Sequence, residues 1–134
     1  MTRALHHLAL GARDVERVAG FYREAFGLAE VARHHTESGV LRSIWLASGE
    51  TLLMIEHTDE PARPVQGVGA GPFLLAFSVT PDERAALERE LERRGATVEQ
   101  RTAHSSYAPT TPIFKLALAW TGLTPPFTMV RSIA

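Results

Sequence analysis

Two side chains in the first half of the chain have the chemistry to bind a ligand or to move a proton. His7 lies in an apolar segment near the start and offers an imidazole nitrogen, and Glu56 ends a second apolar segment. A carboxylate on an apolar strand face needs a partner or solvent. Glu56 is therefore a candidate metal ligand, a candidate general base, or a group that reaches solvent at the end of its strand. His7 is either a ligand that faces a cavity or a strand histidine hydrogen-bonded in a polar pocket.

Two aromatic residues and one cation add candidate binding groups. Trp45 and Tyr107 are predicted to lie in strands, either in the core or stacked on a bound molecule. Arg42 can hold an anionic group with two parallel hydrogen bonds. Because strand side chains alternate, Arg42 is expected on the opposite face from Trp45.

The remaining histidines are weaker candidates. His57 follows Glu56 directly and is expected to point the other way. The adjacent pair His34 and His35 is interpreted as a surface feature, while His104 is a candidate third ligand. A catalytic metal usually has at least three protein ligands, and His7 and Glu56 provide only two.

The first half of the chain predicts one helix among four strands. Residues 4–12 alternate as a strand with His7, Ala9 and Gly11 on one face. Asp14 is typical of a helix N-cap, and Gly27 is typical of a helix end. Short polar breaks then favour antiparallel strands at 28–36, 40–46 and 51–57.

The second half repeats this order after a linker rich in proline and glycine, 58–71. Residues 73–79 predict a strand, and Thr80-Pro81-Asp82-Glu83 is a capping box with proline at the first helical position. The helix is expected to run to about residue 94, and strands are expected near 96–101, 104–108 and 114–120. The cap residues Asp14 and Thr80 lie 66 positions apart, about half the chain, which indicates two similar supersecondary units.

The composition is that of an ordinary soluble protein. The chain has 134 residues, a formal net charge of -1 and no cysteine. The charge gives no electrostatic reason to expect nucleic acid or a membrane surface as partner. The lack of cysteine excludes disulfides and thiolate chemistry. No apolar run approaches the length of a membrane span, and no signal peptide is evident, so a cytoplasmic location is expected.

The opening of the chain resembles the vicinal oxygen chelate superfamily, which contains glyoxalase I, bleomycin-resistance proteins and extradiol dioxygenases. The resemblance rests on His7 followed by Asp14, then Phe21-Tyr22 and Phe26-Gly27-Leu28. Leu53-Met54-Ile55-Glu56 and the doubled strand–helix–three-strand order extend it over about residues 4–120. The fold expected from it is α+β, with residues 1–134 forming one glyoxalase-like domain. Two βαβββ modules, at about 4–57 and 72–120, would make a cup-shaped mixed sheet with helices outside, completed by homodimerisation.

The same resemblance implies a divalent metal in the cup, held by two ligands from each module. His7 and Glu56 match the first pair. The second pair does not match, since the expected histidine falls at Phe73 or Leu74 and the expected glutamate at Ala117. Residues from about 108 to 134 also depart from the family pattern, since an acidic turn is replaced by Thr110-Thr111-Pro112-Ile113-Phe114.

The function implied is the binding of a small molecule in the cup, with no organic cofactor. If the protein is an enzyme, the family chemistry is that of a metal-assisted lyase, isomerase or dioxygenase, with His7 as ligand and Glu56 as ligand or base. The alternatives are a metal-free protein that sequesters a drug-like ligand against aromatic residues and a degenerate member whose dimer is only structural.

Overall fold

The computed structural model describes residues 1–61, 74–98, 100–101, 105–109 and 115–119. The chain divides into two compact units between Glu60 and Pro61. The first unit contains β1 (His7–Ala12), α1 (Val15–Phe26), β2 (Ala29–His35), β3 (Leu41–Ser48) and β4 (Thr51–His57). The second contains β5 (Leu74–Ser78), α2 (Pro81–Arg93), β6 (Gln100–Arg101), β7 (Ser105–Pro109) and β8 (Lys115–Ala119).

The first unit is a four-stranded mixed sheet with the order β1-β4-β3-β2. Strand β1 runs parallel to β4, and β4, β3 and β2 are antiparallel neighbours. The tight turns before β3 and β4 include Gly39 and Gly49, whose positive φ angles favour glycine. This βαβββ order agrees with the pattern expected from the sequence.

Helix α1 covers one face of the first sheet. Asp14 accepts a hydrogen bond from the backbone N–H of Arg17 at 2.9 Å, and Gly27 ends the helix in the left-handed conformation. The helix buries Val15, Ala19, Tyr22 and Ala25. The apolar side chains of the sheet that are buried with them are Leu10, Ala12, Ile44, Leu46, Leu53 and Ile55. The core of the first unit therefore lies between α1 and this face.

Replacing Asp14 with alanine is expected to lower the free energy of unfolding by about 1 kcal/mol, because an N–H of the first helical turn loses its acceptor. Urea unfolding followed by circular dichroism measures the change. Glu37→Ala, in the exposed turn after β2, is the matched control and is expected to change little. Equal destabilisation by both variants would contradict the capping role.

Four charged side chains join α1 to β2. Arg33 contacts Glu16 at 2.5 Å and Glu30 at 2.7 Å, and Arg23 contacts Glu30 at 2.5 Å. The hydrogen bonds from Arg33 are the main reason that the pKa values of Glu16 and Glu30 lie below their ordinary value of 4.5. A single partly exposed ion pair contributes little to stability, but a network that spans two elements holds the edge strand β2 against α1.

The network predicts an acid-sensitive contribution to stability. A carboxylate whose pKa is lowered by folding stabilises the folded state above its unfolded pKa, and this contribution is lost as the pH falls below 4.5. Glu30→Gln is expected to be less stable than wild type at neutral pH, by about 1 kcal/mol. The difference should shrink when unfolding is measured at progressively lower pH. Glu50→Gln, in an exposed turn, is the control. A difference that stays constant with pH would contradict the ionic origin.

The second unit has the same strand order, β5-β8-β7-β6, with β5 parallel to β8. Helix α2 begins with the predicted capping box, in which Thr80 and Glu83 each bond the backbone of the other. The half-buried Glu88 accepts hydrogen bonds from Arg84, Arg101 and the buried hydroxyl of Ser106. Burial opposes its ionisation, but these bonds together hold the pKa of Glu88 below its ordinary value. Glu88 therefore ties α2 to β6 and β7.

The α+β class is confirmed, and most element boundaries lie within two residues of those predicted. One difference affects the site, since β1 begins at His7 and residues 4–6 are not part of the strand.

Within the described residues, no helix is long and apolar enough to cross a membrane. The predicted positions that lie outside the described residues are Phe73, His104, most of the 58–71 linker, residues 110–114 and the tail from Trp120.

Candidate functional site

The sheet of the first unit has a second face, turned away from α1. The strand registers bring twelve side chains to it, and we call this surface the Trp45 face. Its members are His7, Ala9, Gly11, Ala29, Ala32, His34, Ser43, Trp45, Ala47, Leu52, Met54 and Glu56. Of these residues, Trp45 alone has a large aromatic ring, and Ala32, Met54 and the imidazoles of His7 and His34 lie beside it.

Trp45 is the centre of this face and is half-buried. The centroid of its ring lies 5.1 Å from that of His7 and 6.3 Å from that of His34. Its indole N–H donates to the hydroxyl of Ser43 at 3.3 Å, and Ser43 is only 4% exposed. The hydrogen bond and the imidazole contacts together fix the orientation of the indole.

His6 and His7 meet at the start of β1. Their Nδ1 atoms are 2.9 Å apart, and the rings are nearly perpendicular, at 86°. The ring centroid of His6 also lies 6.5 Å from that of Trp45. Both histidines are exposed. Adjacent residues within a strand point to opposite faces, but His6 precedes the strand and its ring can turn toward His7.

Glu56 lies at the far end of the same face, next to Arg42. The register pairs Glu56 with Gly11 on one side and with Ser43 on the other. Arg42 approaches it with Nη2 at 3.5 Å from Oε1. Strand alternation alone would direct the Cα–Cβ bond of Arg42 toward the α1 side of the sheet. The β2–β3 register shifts opposite Arg42, between His34 and His35. Such irregularities re-aim side chains, which accounts for a contact that the sequence did not predict.

The two residues matched to the family's first ligand pair do not meet. His7 pairs with Leu52, so Glu56 is four residues further along β4, about 13 Å at the usual rise per residue. Metal bonds to nitrogen and oxygen are only about 2.0–2.2 Å long, and strand side chains stand roughly perpendicular to the sheet. A single ion held by both His7 and Glu56 does not fit this register. Among the described residues, no group of three or more histidine or acidic side chains is placed to hold a metal.

Two other candidate residues, His57 and Tyr107, are not members of the Trp45 face. The ring of His57 contacts the backbone oxygen of Arg13 and the carboxylate of Asp59, both at 3.2 Å, and so joins the end of β4 to the β1–α1 loop. Tyr107 is in β7, opposite Ala117 of β8, and its side chain lies outside the described part of the chain.

His6 and His34 lie beside Trp45, a placement that the sequence did not predict. His34 pairs with Ser43 and so shares the face of Trp45, and it is exposed, in line with the interpretation of the His34 and His35 pair as a surface feature. The irregularities of β2 obscure the alternation that would have signalled that placement. For His6, the deciding feature is that β1 begins one residue later, at His7. The loose alternation of residues 4–12 does not define that start.

Comparison with known proteins agrees with this architecture. The sequence profile of the Glyoxalase/Bleomycin resistance protein/Dioxygenase superfamily matches residues 4–110. The chain belongs to this superfamily. The resemblance to the vicinal oxygen chelate proteins is therefore confirmed, and the match extends through β7 in the second unit of this glyoxalase-family protein. No curated protein matches its sequence.

Solved structures show the same fold at low sequence identity. A mutant of the fosfomycin resistance protein FosX from Listeria monocytogenes, complexed with Mn(II) and 1S,2S-dihydroxypropylphosphonic acid, has a TM-score of 0.73 and 15% identity. The similarity covers 89% of this chain and 93% of that one. FosX from Mesorhizobium loti gives 0.72 and 17%, covering 89% and 92%. Lactoylglutathione lyase from Agrobacterium tumefaciens gives 0.63 and 19%, covering 88% and 93%. At these identities, the structural similarity establishes the fold of the glyoxalase-family protein. Its ligand has to be inferred from its own residues.

Proposed function

We propose that this glyoxalase-family protein binds a small organic molecule on the Trp45 face and that binding does not require a metal held by His7 and Glu56. The observation that carries the proposal is the indole of Trp45, fixed by Ser43 and flanked by His7 and His34. A ring that is already oriented loses little conformational entropy when a ligand stacks on it.

The surroundings of Trp45 suit a planar, partly apolar ligand. Met54 and Ala32 are its direct neighbours across β4 and β2, and Ala9 lies beyond Met54 on β1. An apolar floor with a few polar groups at its margin is the usual composition of a small-molecule site. The imidazoles of His7 and His34 provide those polar groups, and both can donate or accept hydrogen bonds.

Arg42 and Glu56 supply charge at the end of this face. Their single contact of 3.5 Å is long, and the side chain of Arg42 is 65% exposed. A carboxylate or phosphonate on the ligand can therefore compete with Glu56 for the guanidinium. Glu56 would then be free to act as the general base that the sequence suggested. Tyr107, in the second unit, remains a predicted ligand contact from the sequence alone.

The relatives support a ligand-binding role. The family name and the FosX structures refer to resistance against bleomycin and fosfomycin, two small molecules of different chemistry. Four features remain predictions. They are the cup implied by the family, its completion by a second copy of the chain, the joining of both units in one domain, and a cytoplasmic location.

The second candidate function is metal-assisted catalysis, which the Mn(II) complex of FosX favours as family chemistry. Since His7 and Glu56 do not fit one ion, this candidate requires ligands other than that pair.

A thermal-unfolding titration separates the two candidates. The protein is mixed with bleomycin or fosfomycin, once with EDTA and once with Mn²⁺. A ligand that prefers the folded state raises the midpoint by mass action. The proposal predicts a rise that is the same with EDTA and with Mn²⁺. A rise only with Mn²⁺ would contradict it and would favour the metal-assisted candidate, and no rise with either compound would contradict binding of both ligand types.

A further inference from the structure

We infer that the ligand of the Trp45 face is an aromatic α-amino acid, with its ring on Trp45 and its zwitterionic head group between Arg42 and Glu56. The inference rests on the proposed function, since it names the class of small molecule that the same face takes. Its basis is that one cation and one anion lie together at one end of the face, beside the row of residues that holds the indole.

The contact between Arg42 and Glu56 leaves both groups available to a ligand. Nη2 of Arg42 lies 3.5 Å from Oε1 of Glu56, and the two side chains are 65% and 36% exposed. A charge-assisted hydrogen bond between such groups is usually about 2.7–2.9 Å long. The pair is therefore loose enough for the guanidinium and the carboxylate each to take a new partner.

The head group of an α-amino acid carries the complementary charges close together. Its ammonium and carboxylate are attached to the same carbon and lie about 3 Å apart. The carboxylate accepts two parallel hydrogen bonds from the guanidinium of Arg42, while the ammonium donates to the carboxylate of Glu56. All four charges are then paired. A ligand with a carboxylate alone would leave Glu56 without a cation, and an amine alone would leave Arg42 without an anion.

The distance from Trp45 to the charged pair selects the length of the ligand. Trp45 pairs with Met54, and Glu56 is two residues further along β4, about 7 Å at the usual rise per residue. The indole N–H donates to Ser43, which pairs with Glu56, so this edge of the ring is directed toward the charged end. In phenylalanine, the ring centre lies about 5–6 Å from the head-group nitrogen and oxygens. One ligand of this size therefore extends from the indole to the charged pair.

The test titrates the ¹⁵N-labelled full chain, in EDTA, with L-phenylalanine, 3-phenylpropionate and phenethylamine. The shift of the indole N–H signal of Trp45 gives Kd for each compound. Each of the last two compounds lacks one charge of the head group. L-Phenylalanine is expected to bind about tenfold more tightly than either of them.

Two variants assign the charges to their partners. Arg42→Gln is expected to weaken binding of phenylalanine about tenfold but not that of phenethylamine, which has no carboxylate. Glu56→Gln is expected to weaken phenylalanine similarly but not 3-phenylpropionate, which has no ammonium. Arg17→Gln, at an exposed position of α1, and Glu50→Gln, in the exposed turn before β4, are matched controls that should keep wild-type affinity. The dispersion of the same spectra checks that each variant is folded.

Phenylalanine that binds no more tightly than 3-phenylpropionate or phenethylamine would overturn the inference. A loss in Arg42→Gln that is as large for phenethylamine as for phenylalanine would also overturn it, as would no shift of the Trp45 signal with phenylalanine. If bleomycin or fosfomycin still shifts that signal, the proposed function stands and only the ligand class is wrong. If none of these compounds shifts it, the proposed function fails as well.

Discussion

Replacing Trp45 with alanine is expected to weaken binding of a planar ligand by about thirtyfold, which corresponds to about 2 kcal/mol. The indole is the one large aromatic ring among the twelve residues of the Trp45 face, and Ser43 holds its orientation. Its loss removes the surface on which the ligand stacks. Isothermal titration calorimetry with bleomycin, in EDTA, measures the change in Kd.

Two further variants make the Trp45 result specific. Trp45→Phe keeps an aromatic ring and is expected to retain most of the affinity, although it loses the hydrogen bond to Ser43. Val40→Ala changes an exposed apolar residue of the same unit and is expected to leave Kd unchanged. Wild-type affinity in Trp45→Ala would mean that the ligand binds elsewhere.

Replacing Ile44 with alanine is expected to lower the free energy of unfolding by about 3–4 kcal/mol. Ile44 precedes Trp45 directly but faces α1, and its side chain is 0% exposed. The truncation leaves a cavity between the sheet and the helix, and the surrounding side chains collapse into it only in part. Denaturant unfolding measures the loss, and Ile44→Val should cost only about 1 kcal/mol.

The contrast between these neighbours tests the assignment of the two faces. Trp45→Ala should reduce ligand binding more than stability, and Ile44→Ala should do the reverse. Val40→Ala, at a residue 58% exposed, is expected to stay within about 0.5 kcal/mol of wild type. A loss of stability in Trp45→Ala as large as that in Ile44→Ala would mean that Trp45 belongs to the core.

The elements of this fold were predictable because local signals mark them. The cap at Asp14, the glycine at Gly27 and the capping box from Thr80 to Glu83 each produce a helix boundary that the structure contains. The alternation of β1 correctly placed His7 and Ala9 on one face. These features depend on residues close together in the sequence, which is where a sequence carries most information.

The pairing of the site residues was not predictable in the same way. Both His7 and Glu56 were correctly placed on strands and share a face, but the register of β1 against β4 sets them four residues apart. Register depends on contacts between distant segments, and no short pattern reports it. The contact between Arg42 and Glu56 was missed for a related reason, since it depends on an irregularity in the β2–β3 pairing.

The most direct test of the account follows the indole N–H signal of Trp45 by ¹H–¹⁵N nuclear magnetic resonance while bleomycin or fosfomycin is added in the presence of EDTA. The signal is assigned by its loss in Trp45→Phe. Binding of a small molecule on the Trp45 face predicts a saturable shift of this signal, with the metal removed. Saturable binding that leaves the Trp45 signal unmoved, or a shift that occurs only after Mn²⁺ is restored, would contradict the account.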